Sequence, residues 1–272
     1  MGTGEFDVIA HLQGRFPLVG DDAAVVAVPD GHLLLAADAV VEGVDFLAGC
    51  PLRDIGYRAV LVNASDVAAM GGRPLHVLVT VVAPADVDLI ALMDGAAEGA
   101  RVHGCEVAGG DLSGTEGPLV VSVAITGVVE GGAPVLRSGA RAGDGVFVTG
   151  PLGAAAAAGY RLGAAWYPRA RTAEGIAARQ AGATAMIDVS DGFLADLGHV
   201  LDASGVGVRL DAVPAAPGAT PEQALGGGDD YELIFTLPPA ASPPQGSVRV
   251  GTITGDPTER PLAVGGWEHR FT

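Results

Sequence analysis

The sequence predicts a mixed α/β (α+β) protein built in two parts. Its 272 residues are 49% apolar and 17% charged, so the chain can bury a sizeable core and is too apolar for general disorder. Short runs rich in Val, Leu and Ile alternate with segments of helical periodicity, and this alternation starts afresh after residues 133–143. We therefore expect an N-terminal part at 1–135 and a C-terminal α/β part at 136–272.

The first half is expected to alternate strands with two helices. The helices are predicted over 54–70, with Asp54 as the N-cap, and over 86–103, and they end before glycines that suit a left-handed stop, Gly71 and Gly104. A short strand over 106–108 is expected to end before Gly109-Gly110-Asp111. The other strands are predicted at 24–28, 32–36, 76–82 and 119–129.

The second half repeats the alternation with a different order. Its clearest helix covers 190–203, with Ser190 as the N-cap and Gly205 beyond the end. The remaining predicted elements are an Ala-rich helix over 154–162, a helix from Thr172, strands at 146–149, 231–237 and 248–253, and a Pro-rich loop at 238–246.

Charge and composition exclude several classes of function. The formal charge of -17 argues against binding to nucleic acid or to an anionic membrane. All 15 basic residues are Arg, which excludes a P-loop lysine and a Schiff-base lysine. Cys50 and Cys105 form no CxxC pair, so neither a disulfide framework nor a Cys-ligated zinc is expected. Without a long apolar run or a signal sequence, the expectation is a soluble cytoplasmic protein.

Aspartates are concentrated where predicted strands stop or turns begin. Each one alone is explained as an N-cap or turn residue. Asp66, however, lies in a predicted helix among apolar residues, where an ionised carboxylate costs several kcal/mol unless it is paired or bound to a cation. Mg²⁺ is the natural partner, since it takes one or two carboxylates together with phosphate oxygens. The clusters lie at residues 21–22, 38, 45, 63–66, 109–111, 188–191 and 228–230.

Three features suit a phosphate group. Paired glycines at Gly109-Gly110 let backbone N–H groups approach an anion closely. Ser190 is expected at a helix N-terminus, where free N–H groups favour negative charge, and Asp191 there is either a first-turn acid or a ligand. Arg137 offers a planar fork for phosphate, although an isolated Arg is more often a surface residue.

The motifs, in this order, resemble those of the thiamine-monophosphate kinase family. This family is part of a superfamily that includes aminoimidazole ribonucleotide synthetase, selenophosphate synthetase and the hydrogenase maturation protein HypE. The match spans nearly the whole chain. Its pieces are residues 4–9 (GEFDVI), 20–24 (GDDAA), 38–46 (DAVVEGVDF), 54–59 (DIGYRA), 63–71 (NASDVAAMG), 109–111 (GGD), 137–144 (RSGARAGD), 187–192 (IDVSDG), 227–233 (GGDDYEL) and 266–269 (GWEH).

The resemblance implies transfer of a phosphoryl group from ATP to thiamine monophosphate, with several Mg²⁺ ions, on a homodimer. It implies a PurM-like fold in which the N-terminal sheet pairs with its twin across the dimer into a shared barrel. The implied metal ligands are Asp22, Asp38, Asp66, Asp111, Asp188 and Asp191, with backbone carbonyls of Ala36 and Ala37. The implied nucleotide contacts are Gly110, Asp111, Arg137 and Ser190, and the implied substrate contacts are Asp45, Asp229 and Trp267. Catalysis is expected of Asp66, Asp111, Asp188 and Arg137.

The sequence departs from the family pattern near the acceptor. Ala36-Ala37 replaces Ser-Thr, Asp45 replaces a His, and Asp229 replaces a Glu. Two alternative functions therefore stay open. One is another ATP-dependent kinase or synthetase of the superfamily, which activates a carbonyl or amide oxygen. The other is a catalytically silent nucleotide-binding dimer.

Overall fold

The computed structural model describes residues 5–163 and 166–261, which form two five-stranded sheets with helices. The first half contains α1 (Glu5–Gln13), β1 (Ala24–Val28), β2 (Gly31–Val41), α2 (Leu52–Ala69), β3 (Arg73–Ala83), α3 (Leu89–His103), β4 (Glu106–Gly114) and β5 (Val120–Val129). The second half contains β6 (Gly145–Val148), α4 (Ala154–Ala157), α5 (Thr172–Gln180), β7 (Ala185–Asp188), α6 (Phe193–Ser204), β8 (Gly207–Leu210), α7 (Pro221–Gly226), β9 (Leu233–Leu237) and β10 (Val248–Thr254).

The first sheet has the strand order β1-β2-β5-β3-β4, in which only the β3–β4 pair is parallel. Side chains alternate between its two faces. One face is covered by α2 and α3, so that Val67 and Leu92 share a core with Val79 and Val123. The parallel pair follows from the helical crossover, α3, which joins β3 to β4.

The second sheet is antiparallel, with the order β7-β9-β6-β10-β8. Its core contains Phe193 and Leu197 of α6 against Val146, Ile234 and Val250 of the strands. The apolar spacing along α6 explains this placement, because residues three and four apart share one face of a helix.

The C-terminal end of α2 packs against the second half of the chain. Ala69 lies in one core cluster with Ala178 of α5, Met186 of β7 and Leu233 of β9. Asp66 therefore lies where elements of both halves meet. Among the described residues, no helix is both long and apolar enough to cross a membrane.

Two strands differ from the prediction in a way that moves site residues. β2 continues to Val41, so Asp38 lies within a strand rather than after one. β4 runs from Glu106 through Gly114, so Gly109-Gly110-Asp111 lies inside it instead of forming a turn. Pairing with the full length of β5 extends β2, and pairing with β3 extends β4. Long-range pairing of this kind overrides local turn propensity.

Several helix ends were also wrongly predicted. α2 follows Pro51 and places Asp54 inside its first turn, and α3 begins at Leu89, after its N-cap Asp88, rather than at residue 86. The N-cap of α6 is Gly192 rather than Ser190. α4 ends at Ala157 instead of near residue 162, because Gly159 and Tyr160 adopt left-handed backbone angles.

Candidate active site

Three carboxylates from distant parts of the sequence meet at the junction of the two halves. Asp22 precedes β1, Asp66 lies on α2 and Asp188 ends β7, and one oxygen of each lies within 4.8 Å of the others. Asp22 and Asp188 are buried. Oδ2 of Asp22 is buried without a hydrogen-bond partner among the described residues. Carboxylate oxygens gathered in this way are the ligands that Mg²⁺ prefers, so the residues fit a divalent cation.

Electrostatics at this cluster favour a bound cation. Burial, followed by the nearby Asp38, Asp188 and Asp22, raises the pKa of Asp66 well above its usual value. Burial and Asp22 likewise raise the pKa of Asp188 to about 7, although Ser65 Oγ donates a hydrogen bond of 2.5 Å to its Oδ2. Without a cation, ionising these acids together is unfavourable, and a divalent ion would relieve the repulsion.

Arg137 brings a positive charge to the cluster from the segment between the sheets. Its guanidinium donates to Oδ1 of Asp22, with Nη2 at 2.6 Å and Nε at 3.2 Å. Its backbone N–H points at both carboxylate oxygens of Asp21, each at 3.1 Å. Burial, together with Asp22, raises the pKa of Asp21 to about 6. The planar fork of Arg137 is thus held beside the carboxylates, where a phosphate would also lie.

The segment after β7 carries Ser190 and Asp191 next to this cluster. Its backbone N–H groups point at Asp196 of α6, a residue that sequence reasoning missed. Carboxylate and imidazole atoms of Asp191, Asp196 and His199 form a second group whose members lie within 4.8 Å of one another. The sequence signal that could have identified Asp196 is helical periodicity, since an acid at this position falls on the buried face defined by Phe193 and Val200.

A second polar group joins two of the predicted substrate residues. Arg58 of α2 donates from Nη1 to the carbonyl oxygen of Asp45 at 3.2 Å and from Nη2 to Oδ2 of Asp229 at 2.8 Å. Tyr231 Oη donates to the other oxygen of Asp229 at 2.6 Å. Asp229 and Tyr231 both have positive φ, an unusual strain for residues other than glycine that often marks functional sites.

Arg58 and Tyr231 were not found from the sequence. A single Arg in an apolar helix gives no signal of its partner, which lies 171 residues away. The structure also shows that the two acids expected to contact substrate, Asp45 and Asp229, already accept hydrogen bonds within the protein. Both oxygens of Asp229 already accept hydrogen bonds, and Oδ2 of Asp45 accepts from the Val41 N–H at 2.7 Å.

The other predicted residues lie outside the three-carboxylate group. Asp38 is exposed and its N–H donates to Asn63 Oδ1 at 3.0 Å, with Ala36 and Ala37 just before it on β2. Asp111 is exposed on β4, and Ser113 Oγ donates to it at 3.1 Å. Gly110 is required by strand packing, since a Cβ there would lie 1.8 Å from the Val79 carbonyl oxygen. Trp267 lies outside the described residues.

Comparison with known proteins identifies relatives along most of the chain. Residues 20–129 match the family model for the AIR synthase related protein, N-terminal domain. A thiamine-monophosphate kinase of Rhodopirellula baltica is 38% identical, with 86% of this chain and 82% of the relative aligned. That of Mycobacterium tuberculosis is 39% identical, with 85% and 80% aligned.

A solved structure has the same fold. AaThiL complexed with AMPPCP and TMP superposes with a TM-score of 0.86 at 30% identity, and the match covers 98% of this chain and 97% of that one. Both of these relatives are more than 30% identical to this chain over at least four-fifths of their length. The chain therefore belongs to the thiamine-monophosphate kinase family.

Proposed function

We propose that this protein transfers the γ-phosphoryl group of ATP to thiamine monophosphate, which yields thiamine diphosphate and ADP. The observation that carries the proposal is the group formed by Asp22, Asp66 and Asp188 beside Arg137, in a chain related to thiamine-monophosphate kinases. AMPPCP, which AaThiL holds together with TMP, is an analogue of ATP. The pairing of a nucleotide and a phosphate acceptor suits direct transfer between them.

In this proposal several Mg²⁺ ions are held by the carboxylates of Asp22, Asp66 and Asp188, together with those of Asp38, Asp111 and Asp191 and the carbonyls of Ala36 and Ala37. Bound Mg²⁺ would neutralise the charge of the polyphosphate and align the transferring group. The buried, unpartnered Oδ2 of Asp22 supports this assignment. Phosphoryl transfer needs positioning and charge neutralisation more than covalent help, so no phosphorylated residue is required.

The protein's own residues then position the two substrates. Arg137 donates to phosphate oxygens from a guanidinium already held by Asp22, while Asp21 holds its backbone N–H. Gly110, Asp111 and Ser190 contribute to the nucleotide site. On the acceptor side, Arg58 and Tyr231 hold Asp229 in place. Asp45, Asp229 and Trp267 surround the thiamine part.

Two further features of the assembly belong to the proposal. We place the domain boundary after residue 135, because all strands of the first sheet precede it and all strands of the second follow it.

We also propose a homodimer in which the first sheet of one subunit and that of its partner form a shared barrel. The side of this sheet away from α2 and α3 exposes Leu78, while Leu112 is exposed on the α3 side of the edge strand β4, which is exposed along its whole length. Exposed strand edges and apolar sheet faces are typically covered by a partner.

An ADP-release assay with Mg²⁺-ATP tests the function. Its panel contains thiamine monophosphate, thiamine, aminoimidazole-pathway intermediates and selenide. We expect turnover with thiamine monophosphate and a loss of about 100-fold or more in Asp66→Asn, as is typical when transition-state charge stabilisation is removed. The matched control is Asp94→Asn, which removes an exposed acid from α3.

The outcomes separate the alternatives. A synthetase would move substrate oxygen into inorganic phosphate, which isotope labelling detects, whereas a kinase releases no phosphate. Saturable ATP binding without turnover on any acceptor would indicate a silent nucleotide-binding protein. Normal turnover in Asp66→Asn would contradict the assignment of the carboxylates.

A further inference from the structure

Asp196 of α6 binds the segment that follows β7 through a single oxygen. Its Oδ2 accepts hydrogen bonds from the backbone N–H groups of Ser190 at 3.1 Å, Asp191 at 3.2 Å and Gly192 at 3.0 Å. The side chain is buried, with 2% of the residue exposed. An ordinary N-cap residue precedes its helix and accepts from the first turn. Here a residue within the first turn reaches back to the chain that leads into the helix.

The same segment is held from its other side by the loop before β9. The N–H of Asp229 donates to the Ser190 carbonyl at 2.8 Å, and the N–H of Tyr231 donates to the Val189 carbonyl at 2.9 Å. Gly228 permits this approach, since a Cβ there would lie 2.1 Å from the Ser190 carbonyl oxygen. The 229–231 loop thus holds the carbonyls of residues 189–190, and Asp196 holds the N–H groups of residues 190–192.

In the described part of α6, no other side chain accepts hydrogen bonds from the N–H groups of residues 190–192. The N-cap is Gly192, which has no side chain to offer and a φ of 123° that favours glycine. Without an acceptor at 196, three adjacent N–H groups would lose their partner, among them that of the buried Gly192. Buried donors left without a partner cost free energy, so the segment would change conformation to find new ones.

An acid at this position is electrostatically unfavourable by itself. Burial, followed by the nearby Asp191 and Asp188, raises the pKa of Asp196 well above its usual value. Phe193, Leu197 and Val200 show that the rest of this helix face is apolar. A buried acid next to two further acids contributes little to folding compared with an apolar side chain. Its hydrogen bonds instead hold the backbone of the segment that carries the site residues.

We infer that Asp196 is a positioning residue, which holds residues 190–192 so that Asp188, Ser190 and Asp191 face the metal and nucleotide together. The inference rests on the proposed Mg²⁺-ATP function of the site. Residues behind a metal's direct ligands orient those ligands, and their loss weakens metal binding or activity. Asp196 acts in this way on the backbone of the segment.

The test compares Asp196→Leu, which removes the acceptor, with Asp196→Asn, which keeps one acceptor oxygen. Asp202→Leu on the same helix, where the acid is exposed and paired with Arg260, is the control. In Asp196→Leu we expect the Kd for AMPPCP with Mg²⁺ and the half-saturating Mg²⁺ concentration to rise about tenfold or more. Hydrogen exchange at residues 190–192 should accelerate, whereas Asp196→Asn and Asp202→Leu should stay near the wild type.

Several results would overturn the inference. A folded Asp196→Leu with unchanged affinity and Mg²⁺ dependence would do so, and so would an Asp196→Asn as defective as Asp196→Leu. If Asp196→Leu does not fold, Asp196→Ala, which also removes the acceptor, is measured in the same way. Unprotected amides at 190–192 in the metal-free wild type would overturn the inference independently of any variant. A wild type that binds no AMPPCP with Mg²⁺ would contradict the proposed function, while hydrogen exchange would still test the hydrogen bonds.

Discussion

Arg58 joins residues that are far apart in the sequence. It contacts the carbonyl oxygen of Asp45 and the carboxylate of Asp229, and its guanidinium lies 5.7 Å from the centre of the Trp166 ring. Its Nε is buried without a hydrogen-bond partner among the described residues. Because the Asp229 carboxylate is neutralised by Arg58, it does not present a free negative charge to a cationic thiazolium. The negative charge that Asp229 offers a substrate is therefore smaller than its place among the implied substrate contacts suggests.

Replacing Arg58 should affect the acceptor more than ATP. In Arg58→Met the Asp229 carboxylate loses its charged partner, while the Met side chain keeps part of the contact with Trp166. We expect the KM for thiamine monophosphate to rise by on the order of tenfold, as for other losses of a buried charged hydrogen bond. The KM for ATP should change little. Steady-state kinetics in both substrates measure this, and Arg53→Met, an exposed position on α2, is the control. Equal effects on both KM values would argue against an acceptor role.

Asp188 should make the stability of the metal-free protein depend on pH. Burial and Asp22 raise its pKa from 3.8 to about 7. The folded state then binds its proton more tightly than the unfolded chain, so this contribution to stability is complete below about pH 4 and is lost as the pH rises through about 7. We expect the Tm without metal to fall between about pH 5 and about pH 8, and Mg²⁺ to restore part of it at the higher pH.

Calorimetry across this pH range checks the expectation. Asp188→Asn should have a flatter pH dependence than the wild type, because its side chain does not titrate. Asp202→Asn removes an exposed acid with the same change in charge and should keep the wild-type slope. An Asp188→Asn slope equal to that of the wild type would assign the pH effect to other groups.

At the scale of elements, α2 organises the candidate site. Arg58 and Ser65 are seven residues apart, so they lie on nearly the same side of the helix, about 10 Å apart along its axis. Ser65 contacts Asp188 and Arg58 contacts Asp229. One helix of the first half therefore contacts both Asp188 of the carboxylate cluster and the loop of the second half that carries Asp229.

Strand β4 offers a test of the glycine pair. At Gly110, φ is 154° and an added Cβ would lie 1.8 Å from the carbonyl oxygen of Val79, whereas a Cβ at Gly114 would meet nothing within 4 Å. We expect Gly110→Ala to lower the free energy of unfolding by about 1–3 kcal/mol, the range typical of local backbone strain. Gly114→Ala on the same strand should be near neutral. Urea unfolding measures both, and equal stability of the two variants would contradict the close packing.

At the scale of the whole molecule, the proposed dimer explains the apolar surface of the first sheet. Leu112 is 58% exposed on edge strand β4. We expect the wild type to scatter light as a particle of twice the 27.0 kDa chain mass, and Leu112→Asp to weaken this association because a buried charge without a partner is costly. Leu47→Asp, at a position 71% exposed outside the sheets, is the control. A wild type of 27.0 kDa at micromolar concentration would contradict the dimer.

Prediction from the sequence succeeded where the signal is local. The bounds of β1 and the start of α5 were predicted correctly, and the stop of α3 at Gly104 has the expected left-handed backbone. β4 was predicted too short, because a Gly-Gly pair favours a turn in isolation and only pairing with β3 keeps it extended. The N-cap at Ser190 was wrong because the acceptor for that segment, Asp196, lies further along the chain.

The sequence by itself determined the family, the alternation of strands and helices, and the aspartates from which a metal site can be built. Its motifs are contiguous, so they carry this information without reference to contacts. Only the tertiary structure decided which aspartates meet. It brings Asp22, Asp66 and Asp188 together and places Arg137 beside them, while Asp111 lies on an edge strand apart from that group. These contacts depend on the packing of α2 against both halves of the chain. Packing brings together residues that are far apart in the sequence, and no local pattern indicates that they touch.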